Sequence, residues 1–155
     1  MTKAKTGLTS NQKGLALENR TSKWLTSQFG YKCIHDSARG KVSHRPYDVD
    51  VHGVKGSIFK SHLWVECKAF KIKRVNVTKL IECAKDVKDL NNEGAGLQKW
   101  SPSMLMLVAS DGFDVDAIGM AEKYNIYCVH AKPTAFEFVG KRKRQHLEDG
   151  EESAV

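Results

Sequence analysis

The sequence predicts an α/β fold, a central mixed β-sheet flanked by helices with elements in the order αβββαβαβ. Three observations carry this. Residues 45–70, RPYDVDVHGVKGSIFKSHLWVECKAF, hold two strand-like runs joined by a short glycine-containing connection. Met104 to Ala109, MLMLVA, is an unbroken apolar run between turn residues, as expected of a strand buried on both faces. Two further stretches repeat apolar residues at spacings of three and four, the period of a helix that buries one side.

Taken in order, residues 1–10 are polar and Lys/Thr-rich, and are expected to be flexible. Ser10 or Asn11 can cap a helix running to about Gln28, with Gly30 as its stop. On a helical wheel Leu15, Glu18, Ser22, Leu25 and Phe29 share one arc, with Leu17 and Trp24 further round. Glu18 therefore sits inside the apolar stripe, where it either pairs with a buried cation or reaches an acidic site. Tyr31 to Ser37 reads as the first strand, and the basic segment 38–45, ARGKVSHR, leads into the two strands of the central hairpin, with Gly40 permitting a tight turn.

Asn76 can cap a second helix carrying Val77, Leu80, Ile81, Ala84, Val87 and Leu90, and a loop with two glycines spans 91–99. After MLMLVA come a helix from about Asp114 to Tyr124, a short strand from Ile126 to Val129, and an edge-like strand within Thr134 to Gly140. Asp111, Asp114 and Asp116 lack the spacing of a calcium loop, and helix capping accounts for them better. Residues 11–140 form one domain in this reading. Residues 141–155 open on KRKR, then turn acidic, and are expected to be a charged, disordered tail.

Composition narrows the function classes. The 155 residues are 41% apolar and 28% charged, ordinary values for a globular domain. The net charge of +7 favours an anionic partner, most commonly nucleic acid for a small basic protein, against the plainer reading of a basic, soluble surface. Cys33, Cys67, Cys83 and Cys128 are widely spaced and indicate neither a zinc module nor a disulfide framework. No apolar run is long enough to span a bilayer and no signal-like start is present, so a cytoplasmic location is expected. The histidines show no metal-ligand spacing, and His52 and His62 are expected to face solvent.

The chemistry concentrates in the hairpin. Strict alternation puts Asp48 and Asp50 on one face with Val49 and Val51 on the other, and Glu66 and Lys68 opposite Val65 and Cys67. Placing these charges in apolar strands costs on the order of several kcal/mol unless they are paired or metal-bound, which suggests a site. Pro46, Asp48/Asp50 and, after a gap, Glu66-x-Lys68 resemble the PD-(D/E)XK nuclease superfamily, whose motif is an Asp followed at variable distance by Glu-x-Lys on an adjacent strand. Gly14, Glu18, Leu25, Gly30 and Tyr31 match the opening helix of many members. Gly112, Phe113, Ala117, Ala121, Ile126 and Val129 match the layout of the Mrr-type, Holliday-junction-resolvase-like branch, so the resemblance runs from about residue 11 to 130.

That resemblance implies a restriction-endonuclease-like core and a metal-dependent DNA endonuclease that hydrolyses phosphodiester bonds. It implies Mg²⁺ as cofactor, with Mn²⁺ able to substitute, held by Asp50 and Glu66 and completed by the backbone carbonyl of Cys67. Glu18 would serve a second ion or a metal-bound water, Lys68 the attacking water or a phosphate oxygen, and Asp48 would be an additional ligand. Arg39, Lys41, Arg45, Lys71, Lys73 and Arg74 are the candidate contacts to DNA, double-stranded or branched. Cutting both strands of a duplex needs two such sites, hence a dimer or higher homo-oligomer. A restriction-type enzyme, a homing endonuclease and a Holliday-junction resolvase all fit. So do, from other classes, a catalytically silent DNA-binding module and a basic interaction or RNA-binding domain whose acidic hairpin is a salt-bridged core element.

Overall fold

A computed structural model describes residues 7–88 and 100–155. The start of the expected flexible N-terminus, Leu90 and the loop 91–99 lie outside the described residues. The elements are α1 (Ser10–Phe29), β1 (Lys32–Arg39), β2 (Pro46–Lys55), β3 (Ser61–Lys68), α2 (Arg74–Lys88), β4 (Met104–Ala109), α3 (Val115–Lys123), β5 (Tyr127–Ala131), β6 (Phe136–Val139) and α4 (Arg144–Glu148). The expected order αβββαβαβ is present, extended by an edge strand and a short helix.

The six strands lie in sequence order in one mixed sheet. β1, β2 and β3 form an antiparallel meander, β3, β4 and β5 run parallel, and β6 returns antiparallel to β5. The parallel pairs need crossovers, which α2 and α3 supply. Each sheet face has its own core. On one, Trp64, Leu105, Leu107 and Ala109 pack with Val77, Leu80 and Ala84 of α2 and Ala117 and Ala121 of α3. On the other, Leu63, Val65, Met104, Met106 and Val108 pack with Leu17, Leu25 and Phe29 of α1 and Leu147 of α4. β4 is fully buried because it faces helices on both sides.

α1 starts one residue before the expected caps. Thr9 is its N-cap, accepting from the Gln12 N–H while the Gln12 side chain accepts from the Thr9 N–H, and Gly30 closes it at φ 78°. Its buried residues are Leu17, Thr21, Leu25 and Phe29, so the packed arc is rotated from the expected one and Leu15 is exposed. Glu18 falls at the rim of that arc, facing β1 and β2, rather than at its centre.

Three other expectations are corrected. The segment 141–155 is built into the fold instead of forming a disordered tail. Leu147 is fully buried, the Tyr127 hydroxyl donates to the Glu151 carbonyl at 2.7 Å, and the Ser153 hydroxyl accepts from the Leu105 N–H at 3.0 Å. Two ion pairs form within it, Arg142 with Glu151 at 2.9 Å and Arg144 with Glu148 at 3.1 Å. His52, expected in solvent, is buried: it stacks on Trp100 at 3.6 Å between ring centroids and bonds Asp36 and His62, each at 2.9 Å. His62 is half-buried in the same cluster. Asp114 occupies the N-cap position of α3 but makes no side-chain cap bond, pairing instead with Lys71 at 3.4 Å.

Candidate functional site

The decisive local feature is an irregularity in β2. Ile34 pairs with His52 and Asp36 with Val49, so three steps along β2 lie opposite two along β1. A bulge of this kind reverses the alternation of side chains. Val49 accordingly packs on the α2 side of the sheet and Val51 on the α1 side, although strict alternation would put them together. Asp48 and Asp50 therefore do not share the simple common face that alternation predicts.

Asp50 sits at the bulge, where β2 and β3 part. Their backbone register begins at Val51 opposite Val65 and does not extend to Cys67. The Cys67 N–H donates instead to Asp50 Oδ2 at 2.8 Å, so a carboxylate takes the place of a strand in this gap. Glu66, one residue back on β3, accepts from Trp64 Nε1 at 2.8 Å and lies within 3.8 Å of Lys68 Nζ. The side chains of Trp64, Glu66 and Lys68 line one cleft of about 950 Å³ together with Asp48 and Asp50. Asp50 also lines a second, smaller cleft, of about 600 Å³, with Glu18 and His35. It is the residue where the two meet.

The electrostatics of this cluster are those of acids crowded together. Burial, then the charge of Asp50, pushes the Glu66 carboxyl up to about 7, and the Trp64 and Lys68 contacts only partly offset this. Burial also raises Asp50, opposed by the Cys67 N–H and by Lys68. Glu18 is raised by burial and by the charge of Asp50, and lowered by His35. Carboxyls crowded in this way repel one another when ionised, a cost that a proton or a cation relieves.

His35 was not singled out from the sequence. It bridges the acidic cluster, with Nδ1 3.3 Å from Glu18 Oε1 and Nε2 2.8 Å from Asp48 Oδ1. Desolvation opposes its protonation, but Asp48 and Glu18 outweigh it and raise the imidazole. Trp64 was likewise missed, its polar role being to orient Glu66.

The expected basic residues separate into two groups. Arg45 lines the larger cleft, Arg39 donates to the His44 carbonyl at 2.7 Å, and Lys41 lies in the same β1–β2 loop. Lys71 and Lys73 are exposed between β3 and α2 and Arg74 opens α2, all just past Lys68, with Lys71 paired to Asp114. Lys79 of α2 also lines the larger cleft.

As a metal centre, the donor set is hard and oxygen-rich. Among the described residues no three His, Cys, Asp or Glu side chains stand together in metal-holding geometry. The arrangement offers two carboxylates, Asp50 and Glu66, with the remaining positions left to backbone and water oxygens, a composition that suits Mg²⁺ better than zinc. The crowded acids, raised by burial and by one another, are consistent with such an ion.

No family model and no curated protein sequence matches this chain. Among solved structures, it is similar to a crystal structure of a protein of unknown function, with a TM-score of 0.55 and 14% identity over 74% of this chain and 56% of that one. It is also similar to the crystal structure of a repair endonuclease from Pyrococcus abyssi, with a TM-score of 0.51 and 17% identity over 75% of this chain and 47% of that one. The chain thus spans about half the length of these two proteins. At such identities the likeness is one of fold: this is an α/β protein with a mixed six-stranded sheet, folded like part of a repair endonuclease.

Proposed function

We propose that this chain is a metal-dependent DNA endonuclease that hydrolyses phosphodiester bonds at the Asp50, Glu66 and Lys68 cluster. The single observation that carries this reading is the Asp50 carboxylate held in the gap between β2 and β3 by the Cys67 N–H, with Glu66 and Lys68 converging on the same cleft. Support for the substrate comes from the net charge of +7 and from the basic residues around the cleft. The fold shared with a repair endonuclease agrees with both.

Asp50 and Glu66 would hold a divalent cation, Mg²⁺ or Mn²⁺, with the Cys67 carbonyl completing the shell and Asp48 as a lesser ligand. When bound, the ion would neutralise charge on the phosphate and lower the pKa of a water ligand. Trp64 fixes the Glu66 carboxylate through its Nε1–H, and the Cys67 N–H fixes that of Asp50, so neither must reorganise on binding. Lys68 presents its ammonium beside Glu66, placed to donate to a non-bridging phosphate oxygen or to orient the attacking water. Glu18, which lines a cleft with Asp50, would accept a proton from that water when ionised. Arg45 and Lys79 line the approach and would neutralise flanking phosphates.

One such site cuts one strand, so cutting a duplex through requires two copies, and we propose a homodimer or higher oligomer on DNA. Restriction-type, homing and junction-resolving activities share this chemistry and differ in how the substrate is presented. Cleavage of supercoiled plasmid and of a synthetic four-way junction, with Mg²⁺ or with EDTA, tests the reading and separates these substrates. Metal-dependent cutting supports it; a wild-type protein that neither binds nor cuts either DNA rejects it.

A further inference from the structure

Outside the acidic cluster, the most elaborately held feature of the surface is the loop between β1 and β2, residues 40–45. A single carboxylate holds it. Asp86, on α2, accepts from the Val42 N–H at 3.0 Å and the Ser43 N–H at 3.1 Å through Oδ1. Its Oδ2 accepts from the Ser43 and Tyr47 hydroxyls, both at 2.5 Å. The Asp86 backbone carbonyl accepts from the Lys41 N–H at 3.0 Å. The loop closes on itself through Gly40 and Arg45, whose N–H and carbonyl bond at 2.8 Å, and through the His44 N–H to the Gly40 carbonyl at 2.9 Å.

This arrangement constrains the sequence. A Cβ at position 40 would fall 2.1 Å from Asp86 Oδ2, so glycine is required there for close approach rather than for a special φ. His44 takes φ 62°, a left-handed conformation that costs a non-glycine residue about 1 kcal/mol or more and persists only where surrounding contacts impose it. The hydrogen-bond donors hold the Asp86 carboxyl down at about 2, so it stays ionised throughout the neutral range. Loops that merely connect two strands do not need this much anchoring.

What the loop presents is cationic with one apolar contact. Lys41 and Arg45 flank an exposed Val42, Arg39 braces the loop through the His44 carbonyl, and Ser43, Arg45, Tyr47 and Asp86 all line the larger cleft. Arg45 leads directly into β2, so the loop stands five residues from Asp50. We infer that loop 40–45 is a pre-shaped docking element for duplex DNA at the mouth of the cleft, and that Asp86 is the positioning residue that fixes it. The charge is complementary to a phosphate backbone, and a loop already held by these hydrogen bonds need not be ordered on binding. The inference rests on the DNA reading above but adds the element that engages the duplex.

The test is DNA affinity measured by anisotropy on a fluorescent 30-base-pair duplex in EDTA, together with KM and kcat for cleavage in Mg²⁺. Lys41→Ala/Arg45→Ala leaves the anchor intact; it should weaken binding and lower the salt slope of log Kd by about two. Asp86→Ala should raise Kd and KM about tenfold, with Asp86→Asn intermediate because its carbonyl can still accept from Val42 and Ser43, and with kcat changed by less than about threefold. Adding Asp86→Ala to the double variant should cost little more, since the loop it positions no longer carries the cations. A purely structural role for Asp86 would instead lower Tm without a selective rise in KM, and its cost would add fully to that of the double variant.

The outcomes separate the two claims. Cleavage by wild type with a Kd unmoved by Asp86→Ala and by the double variant overturns the docking inference and leaves the nuclease reading standing. Binding weakened by these variants in a protein that never cuts supports the docking inference and rejects the nuclease reading. A protein with no affinity for DNA overturns both.

Discussion

Glu66 shows most directly how local environment sets behaviour. Its carboxyl is raised from 4.5 to about 7, chiefly by burial and secondarily by Asp50. An acid with a raised folded-state pKa adds stability while protonated, in full below about 4.5, and that contribution is lost as pH rises through about 7. Glu18 and Asp50, raised by the same causes, act in the same direction. Metal-free protein should therefore lose stability between these pH values, and Glu66→Gln should be more stable than wild type at pH 8 by on the order of 1–3 kcal/mol. Thermal melting in EDTA at several pH values checks this, and a Glu66→Gln variant destabilised at pH 8 would contradict it. If Mg²⁺ displaces the Glu66 proton, its binding should release protons at a pH of about 7 and below, measured as buffer-dependent binding heat, and raise Tm more at pH 8 than at pH 5.5. Among these residues, Asp50, Glu66 and Lys68 were legible as charges in apolar strands. His35 was not, because an isolated histidine on an exposed strand carries no periodic signal, and its two carboxylate partners come from other elements.

At the scale of elements, runs with one dominant period were read with small errors. Met104–Ala109 was placed correctly because a strand buried on both faces is apolar at every position. The faces of β2 were not, because a bulge leaves no mark in a sequence read as strict alternation, yet the bulge sets Asp50 apart from Asp48. The arc of α1 was rotated because Leu15, apolar but exposed, pulled the expected stripe toward itself, whereas Thr21 is buried. The final segment looked disordered from its charge, but Leu147 and Ser153 tie it to the sheet and Arg142 pairs with Glu151 within it. α1 also bears Glu18, so its start matters to the site. Thr9→Ala removes half of the capping box and should cost about 1 kcal/mol, read as a lowered denaturation midpoint at unchanged m-value. No loss of stability would mean that the α1 start is held by packing alone.

At the scale of the whole molecule, the sheet organises charge and shape together. Helices cover both faces, so the open end of the β2–β3 gap is where polar groups can collect without breaking a core. No described helix is long and apolar enough to cross a membrane. The two clefts meet at Asp50, with Arg45 and Lys79 lining the larger one. If this cluster performs the chemistry, removing Lys68 should lower the rate by about a hundredfold or more while leaving DNA affinity within a few fold, since its ammonium matters most where charge develops. The most direct measurement is cleavage of supercoiled plasmid and a four-way junction by wild type, Asp50→Asn and Lys68→Ala, each in Mg²⁺ and in EDTA. The expected result is metal-dependent cutting by wild type that is lost in Asp50→Asn and strongly reduced in Lys68→Ala, with all three proteins folded. Cutting that persists in both variants, or in EDTA, would show that the phosphodiester chemistry does not occur at this site.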